Sequence, residues 1–405
     1  MTVGSSGLAE AFFGRVVDID SHEMMPTKLW TSEFGEIARE VAESYNASHL
    51  AAPGNRNNQC LPDFEGDVTP ITRETVWRTK GPRAPGSTDM TRRIEVLDVM
   101  GVSRQLMFPT DVGLYGAMLR GGFSGFEPKD SSVDPKEYSQ RLFQAHNEWA
   151  IRAQRVSDRI LPVAIVTGEN PQEVLTRAKE VVGRGIRGIW FLAGELLGGL
   201  SPAHSAHDPL WGYLAERGVA VTVHIGDGAG LLATTDWGGA PVFGGYKKTL
   251  ELNLAPWHMA TMHLAAQNYT TTLVLGGVFD RFPTLRFGAI ETGAYWIGPL
   301  AHQLDIIHAA GGIARSKELY TLPEPPSYYI RKNVRVAAFD WEPVGQYIEM
   351  YRDQGIEDVI CFASDYPHHE GGYEPLQRFS ESLAPLGPEI AEKFFVSNGA
   401  FLLFG

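Results

Sequence analysis

A chain of 405 residues with 43% hydrophobic and 20% charged side chains has the balance of a soluble globular protein with a large core. Its formal net charge of −13 argues against nucleic acid and against an anionic membrane surface as partners. Two cysteines, Cys60 and Cys361, make no disulfide framework or zinc spacing; with no signal-type leader and no apolar run of transmembrane length, a cytoplasmic protein is expected.

Residues 1–15 read as a lead-in. The stretch Val16-Val17-Asp18-Ile19-Asp20-Ser21-His22-Glu23 opens with β-branched residues and alternates, so the first strand is expected there. Side chains two apart in a strand point to one side, so Asp20 and His22 converge on one point. A divalent metal suits that point, although Asp-x-His at a strand end is more often a turn with a satisfied polar pair. Residues 27–88 read as a long insert, with one helix at 32–45 and a Pro-, Gly- and Asn-rich run at 51–69. A helix is expected at 89–100, capped by Asp89 and stopped by Gly101, then a second strand at 103–108. A second insert, 111–134, precedes a helix at 135–156.

From there the alternation is regular. Strands are expected at 160–166, 186–192, 219–224, 285–290, 334–339 and 358–362, and helices at 171–182, 209–217, 256–282, 294–309, 343–354 and 388–395. Eight apolar strands alternating with helices predict a buried parallel sheet, closed as a (β/α)8 TIM barrel in one domain spanning 1–405. A doubly wound open sheet is the alternative, but no Gly-x-Gly-x-x-Gly follows the first strand.

In a barrel, function gathers at the C-terminal ends of the strands. Those ends carry Asp20 and His22, then His224, Glu291, Asp340 and Asp365, the last followed by Tyr366, Pro367, His368 and His369. Two histidines with two carboxylates make a reasonable shell for Zn²⁺ or Mn²⁺. His368 and Trp190 are candidate substrate contacts; the alternatives are a solvated loop and barrel packing. His258 and His263 read as structural. Arg56, Arg78 and Arg83 in the first insert are candidates to clamp a carboxylate, or else solvated loop residues. Trp237, Phe243 and Tyr246 are candidates for a pocket wall or for loop anchors.

The segments Val17-Asp18-Ile19-Asp20-Ser21-His22, Val223-His224 and Ala363-Ser364-Asp365-Tyr366-Pro367 resemble the metal-dependent amidohydrolase superfamily. The resemblance is to the branch containing aminocarboxymuconate semialdehyde decarboxylase and the resorcylate decarboxylases. Gly101-Val102, His207-Asp208-Pro209-Leu210-Trp211, Phe282-Pro283-Thr284-Leu285-Arg286 and Ser397-Asn398-Gly399-Ala400 match as well, so it runs from about residue 16 to the end, outside the inserts. It implies a metal bound by Asp20, His22, His224 and Asp365, with Asp365 also moving a proton. Asp20 stands where many members have histidine and others a carboxylate. Glu291 stands where several decarboxylases place a catalytic histidine, which implies that it transfers protons or orients a ligand. The absence of lysine in Ile189-Trp190-Phe191-Leu192 implies one ion rather than two. The resemblance thus implies a metal-dependent decarboxylase or hydrolase of a small carboxylated substrate, aromatic or dienoic, assembled as a homodimer or higher homo-oligomer. The competing expectation is a metal-free, non-catalytic barrel that binds a ligand.

Overall fold

The computed structural model describes Leu8 and residues 10–403, apart from 49–50, 52–53, 55–57, 123–125, 129, 228–236, 239, 244–255 and 311–321. Eight parallel strands follow one another in sequence order: β1 Val16–Asp18, β2 Val102–Met107, β3 Ile160–Ile165, β4 Gly188–Trp190, β5 Ala220–His224, β6 Arg286–Ile290, β7 Val334–Ala337 and β8 Ile360–Cys361. The ends of the sheet meet just beyond β1 and β8. Ile19 N–H donates to the Phe362 carbonyl at 3.3 Å, Asp365 N–H to Asp20 at 2.9 Å, and His22 N–H to Tyr366 at 2.7 Å. Those bonds turn the sheet into the expected barrel and leave no place for the open-sheet alternative.

The strands read as nearly continuous apolar runs because both of their faces are buried. Leu106, Leu161, Val163, Ile165, Trp190 and Cys361 fill the barrel interior. Met107, Ala164, Ile189, Val221, Val223, Phe287 and Val336 pack against the helices instead. Alternation with period two, doubled, is what a barrel strand requires.

Helix ends follow local chemistry. Asp89 caps Met90–Met100 by accepting from Thr91 N–H and Arg92 N–H, and Gly101 ends it at φ 73°, in the left-handed region. The helix expected at 32–45 is two, Thr27–Phe34 and Ile37–Ala47, because Gly35 at φ 85° ends the first. The stretch 256–282 is likewise divided, into Pro256–Thr261, Leu264–Leu275 and Val278–Arg281, with Gly277 at φ 67° at the last break.

The second insert is not irregular: Val112–Arg120 is a helix, buried along most of its length. Its glycines are the reason a sequence reading passes over it, since glycine weakens a helix. Here they permit close approach to the helix Pro135–Gln154. A Cβ on Gly113 would stand 2.9 Å from the His146 ring, and one on Gly116 would stand 2.9 Å from the Phe143 ring.

A buried polar chain braces the C-terminal end of the barrel. Arg93, fully buried on Met90–Met100, donates from Nε to Gln105 at 3.0 Å and from its other nitrogens to the carbonyls of Gly86, His22 and Tyr366. Gln105 donates to Asp18 at 2.6 Å, and Asp18 also accepts from the Ser364 amide and hydroxyl at 2.9 and 2.5 Å. One chain of bonds thus joins a helix to the ends of β1, β2 and β8. Arg93→Met keeps most of the volume but leaves three carbonyls and Gln105 short of a donor. It is expected to lower stability by about 2–4 kcal/mol in urea unfolding. An unchanged midpoint would mean that water replaces the guanidinium without loss.

Candidate metal centre

Six side chains that the chain carries from residue 20 to residue 368 meet at the C-terminal end of the barrel. Asp20, His22, His224, Glu291, Asp365 and His368 are all buried, none more than 3% exposed. The loops past β6 and β8 hold Glu291 and Asp365 at φ 52° and 49°, the only left-handed non-glycine residues among those described. Such a backbone is strained and persists where the surroundings fix it, commonly at functional sites. The bonds that fix it are visible. Asp365 N–H is held by Asp20, His368 N–H donates to the Asp365 carbonyl at 2.8 Å, and Gly371 lies so near Ser364 that a Cβ would stand 2.0 Å from its carbonyl oxygen. Past β6, Glu342 accepts from the amides of Ala294, Tyr295 and Phe339, tying the β6 and β7 exits together.

The distances define one centre. His22 Nε2 lies 3.4 Å from Asp20 Oδ1, 3.3 Å from Asp365 Oδ1 and 3.6 Å from Glu291 Oε2. His224 Nε2 lies 3.1 Å from Glu291 Oε2 and 3.7 Å from Asp20 Oδ1. Asp365 Oδ1 is 3.0 Å from His368 Nδ1, and the His368 ring stacks on that of His22 at 4.0 Å. His224 Nδ1 donates to the Ile225 carbonyl at 2.9 Å, which leaves Nε2 facing the cluster.

The donor set fits a divalent cation. Asp20 Oδ1, both Asp365 oxygens, Glu291 Oε1 and Nε2 of both His22 and His224 are buried without a hydrogen-bond partner. Two overlapping groups, Asp20–His22–His224–Glu291 and His22–Glu291–Asp365–His368, each keep their ligand atoms within 4.8 Å of one another. Three buried carboxylates facing each other are costly unless a positive charge sits among them. A void of about 10 Å³ beside Asp20, Glu291 and Asp365 has room for one water-sized particle.

Electrostatics agree with the geometry. Burial alone would lower the His224 pKa, but the carboxylates of Asp20 and Glu291 beside it outweigh burial and raise the ring to about 9. His22 is likewise held well above its usual value by Asp20, Asp365 and Glu291, against its burial. Burial works to raise the Asp365 pKa, but His368 and His22 beside it hold the carboxyl well below its ordinary range. A ligating imidazole must shed its proton, so an ion displaces one from His224 at any pH below about 9. Apparent metal affinity is therefore expected to rise with pH up to about 9 at least. Chelator competition across that range checks this; an affinity that does not change with pH would contradict it.

The other sequence candidates fall out differently. Trp190 is buried with its ring 5.2 Å from that of His224, and its Nε1 has no hydrogen-bond partner. Arg78 and Arg83 do not enter the site; they pair with Glu374 and Asp63 at the surface, both at 2.8 Å. His263 bonds the Tyr295 hydroxyl at 2.8 Å, in keeping with a structural part. Trp237 is exposed. Arg56, Tyr246 and the side chain of Phe243 lie outside the described residues. Sequence reasoning passed over Asp18, Arg93 and Lys80. Asp18 sits inside the first strand motif and was legible there; nothing in the sequence separates Lys80 from its basic neighbours.

A parallel eight-stranded barrel with histidines and carboxylates buried at its strand exits defines a class, the (β/α)8 barrel enzymes whose polar groups gather at that end. The family model described as Amidohydrolase matches residues 132–404, and the chain belongs to that family. An amidohydrolase from Mycobacterium avium subsp. paratuberculosis, map2389c, superposes with a TM-score of 0.65 at 22% identity, over 96% of this chain and 99% of that one. A 5-carboxyvanillate decarboxylase from Novosphingobium aromaticivorans, in complex with manganese and 4-hydroxy-3-methoxy-5-nitrobenzoic acid, gives 0.57 at 17%, over 96% of each chain. A 2,6-dihydroxybenzoate decarboxylase from Rhizobium gives 0.57 at 14%, over 96% and 98%. At these identities the likeness is one of fold. No curated protein sequence matches at a significant level.

Proposed function

We propose that this chain is a metal-dependent carboxy-lyase that removes CO₂ from a small aromatic carboxylic acid. The observation that carries the reading is the set of buried, unpartnered oxygen and imidazole atoms converging from Asp20, His22, His224, Glu291 and Asp365. Asp20, His22, His224 and Asp365 would hold one ion, Mn²⁺ or Zn²⁺, with Glu291 beside them. The decarboxylases of similar fold support the substrate class, and one of them carries manganese with a nitrobenzoic acid.

When bound, the ion supplies a Lewis acid that orients the carboxylate and adjacent oxygen of the substrate. The rest falls to the protein. Asp365 and His368, 3.0 Å apart, carry the proton that is delivered to the ring carbon as it loses CO₂. Glu291, 3.1 Å from Nε2 of His224, balances charge across the centre. Trp190 forms the apolar wall beside His224. Hydrolysis would use the same Asp365 as a base toward water, so the products decide between the two.

The test is metal analysis of the purified protein together with assays on 2,6-dihydroxybenzoate and 5-carboxyvanillate, following CO₂ release. Stoichiometric metal and CO₂ release are expected. Metal far below one equivalent, with no activation by added Mn²⁺ or Zn²⁺, would return the chain to a ligand-binding barrel. The same reading includes a homodimer, for which the exposed Trp237 and Val242 on one segment offer apolar surface. A monomer mass by light scattering at micromolar concentration counts against it. Among the described residues no helix is long and apolar enough to cross a membrane.

A further inference from the structure

Lys80 belongs to the first insert, between the helix Arg73–Arg78 and the turn Gly81–Arg83. It is only 7% exposed, and its Nζ has no hydrogen-bond partner. An ammonium carries three donors, and burying it without an acceptor is expensive. Its place is fixed from the backbone: Gly81 N–H donates to the Pro367 carbonyl at 2.9 Å, two residues past Asp365. The rings of Tyr366 and Tyr373 flank the ammonium, with centroids 6.0 and 5.8 Å away.

The carboxylates that act on Lys80 electrostatically are Asp365, Asp340 and Glu370. The first two have other partners. Asp365 faces His22 and His368, and Asp340 faces Arg378 at 3.7 Å. Burial draws the lysine pKa down to about 8, which leaves the side chain charged at neutral pH. The sequence offered Arg56, Arg78 and Arg83 to receive a substrate carboxylate; Arg56 lies outside the described residues, and the other two are engaged at the surface. A buried cation whose Nζ has no hydrogen-bond partner therefore stands beside the β8 exit that holds Asp365.

We propose that Lys80 is the anion anchor of this site, sharing the carboxylate of the aromatic acid with the bound ion and so selecting charged over neutral ring compounds. The proposal rests on the carboxy-lyase reading, because it needs an acidic substrate at the metal centre. Its alternative is a lysine that merely balances the acidic rim.

The test uses the full-length protein loaded with Mn²⁺ and two probes of nearly one shape, salicylate and salicylamide, with affinity read by calorimetry. Lys80→Met is expected to weaken salicylate about 30-fold or more and to leave salicylamide little changed, with metal content as in the wild type. Lys80→Arg is expected to recover most of the salicylate affinity. Should Lys80→Met fail to fold, Lys80→Gln makes the same comparison. Equal loss for both probes, loss for neither, or a metal-loaded wild type that does not prefer salicylate overturns the anchor. A wild type that holds no metal overturns the reading beneath it, and the anchor with it.

Discussion

Alanine at His22 or at His224 is expected to strip the protein of its metal while the barrel stays folded. Each ring contributes an Nε2 that lies among carboxylate oxygens 3.1–3.7 Å away and has no hydrogen-bond partner of its own. Removing it takes away one of about four ligands, and the remaining groups no longer close the coordination sphere. A change in a residue that only supports a ligand commonly weakens metal binding about 10- to 100-fold, so loss of the ligand itself should exceed that. Both rings are buried in ring contacts, so their loss costs some packing, but neither ties distant elements together by hydrogen bonds. Neither nitrogen of His22 is hydrogen-bonded, and Nδ1 of His224 bonds only the next residue's carbonyl. Elemental analysis with circular dichroism makes the check; full occupancy in both variants would remove these histidines from the ligand set.

The second large effect separates Asp365 from Glu291. Asp365→Asn keeps the shape and one oxygen donor. Asparagine also tolerates the left-handed backbone at φ 49°, so the change isolates the charge and the proton. Part of the metal should remain, and turnover should fall by about two orders of magnitude or more, the scale of general acid–base catalysis. For Glu291 the structure changes the expectation. The resemblance implied a proton-transfer group or a residue that orients a ligand, yet its carboxylate lies 3.1 Å from Nε2 of His224, nearer than Asp20 does. Glu291→Gln is therefore expected to weaken metal binding about tenfold and to lower turnover mainly by losing the ion. Titrating Mn²⁺ back into the variant distinguishes the roles. Recovery at high metal supports a ligand-side role, whereas a persistent deficit with an altered pH profile would make Glu291 the proton carrier.

The gathering of Asp20, His22, His224 and Asp365 at one end of the barrel was legible in the sequence for a local reason. Strand periodicity records burial on both faces, and the end of each apolar run marks the strand exit where a barrel places its polar groups. Asp89, Gly101 and the proline-led helices were legible for the same kind of reason, since a cap is decided within a few residues. The helix Val112–Arg120 was not, because Gly113 and Gly116 lower its propensity and are explained only by the rings of His146 and Phe143 pressed against them. Tertiary structure alone joined Glu291 to the imidazoles, drew His368 out of an apparent loop onto the ring of His22, and sent Arg78 and Arg83 to the surface while burying Lys80. Each of these outcomes depends on where a segment comes to rest against residues tens to hundreds of positions away. No local pattern encodes such a position, because the burial that decides whether a charged side chain becomes a ligand, an anchor or a solvated surface group exists only once the barrel has closed.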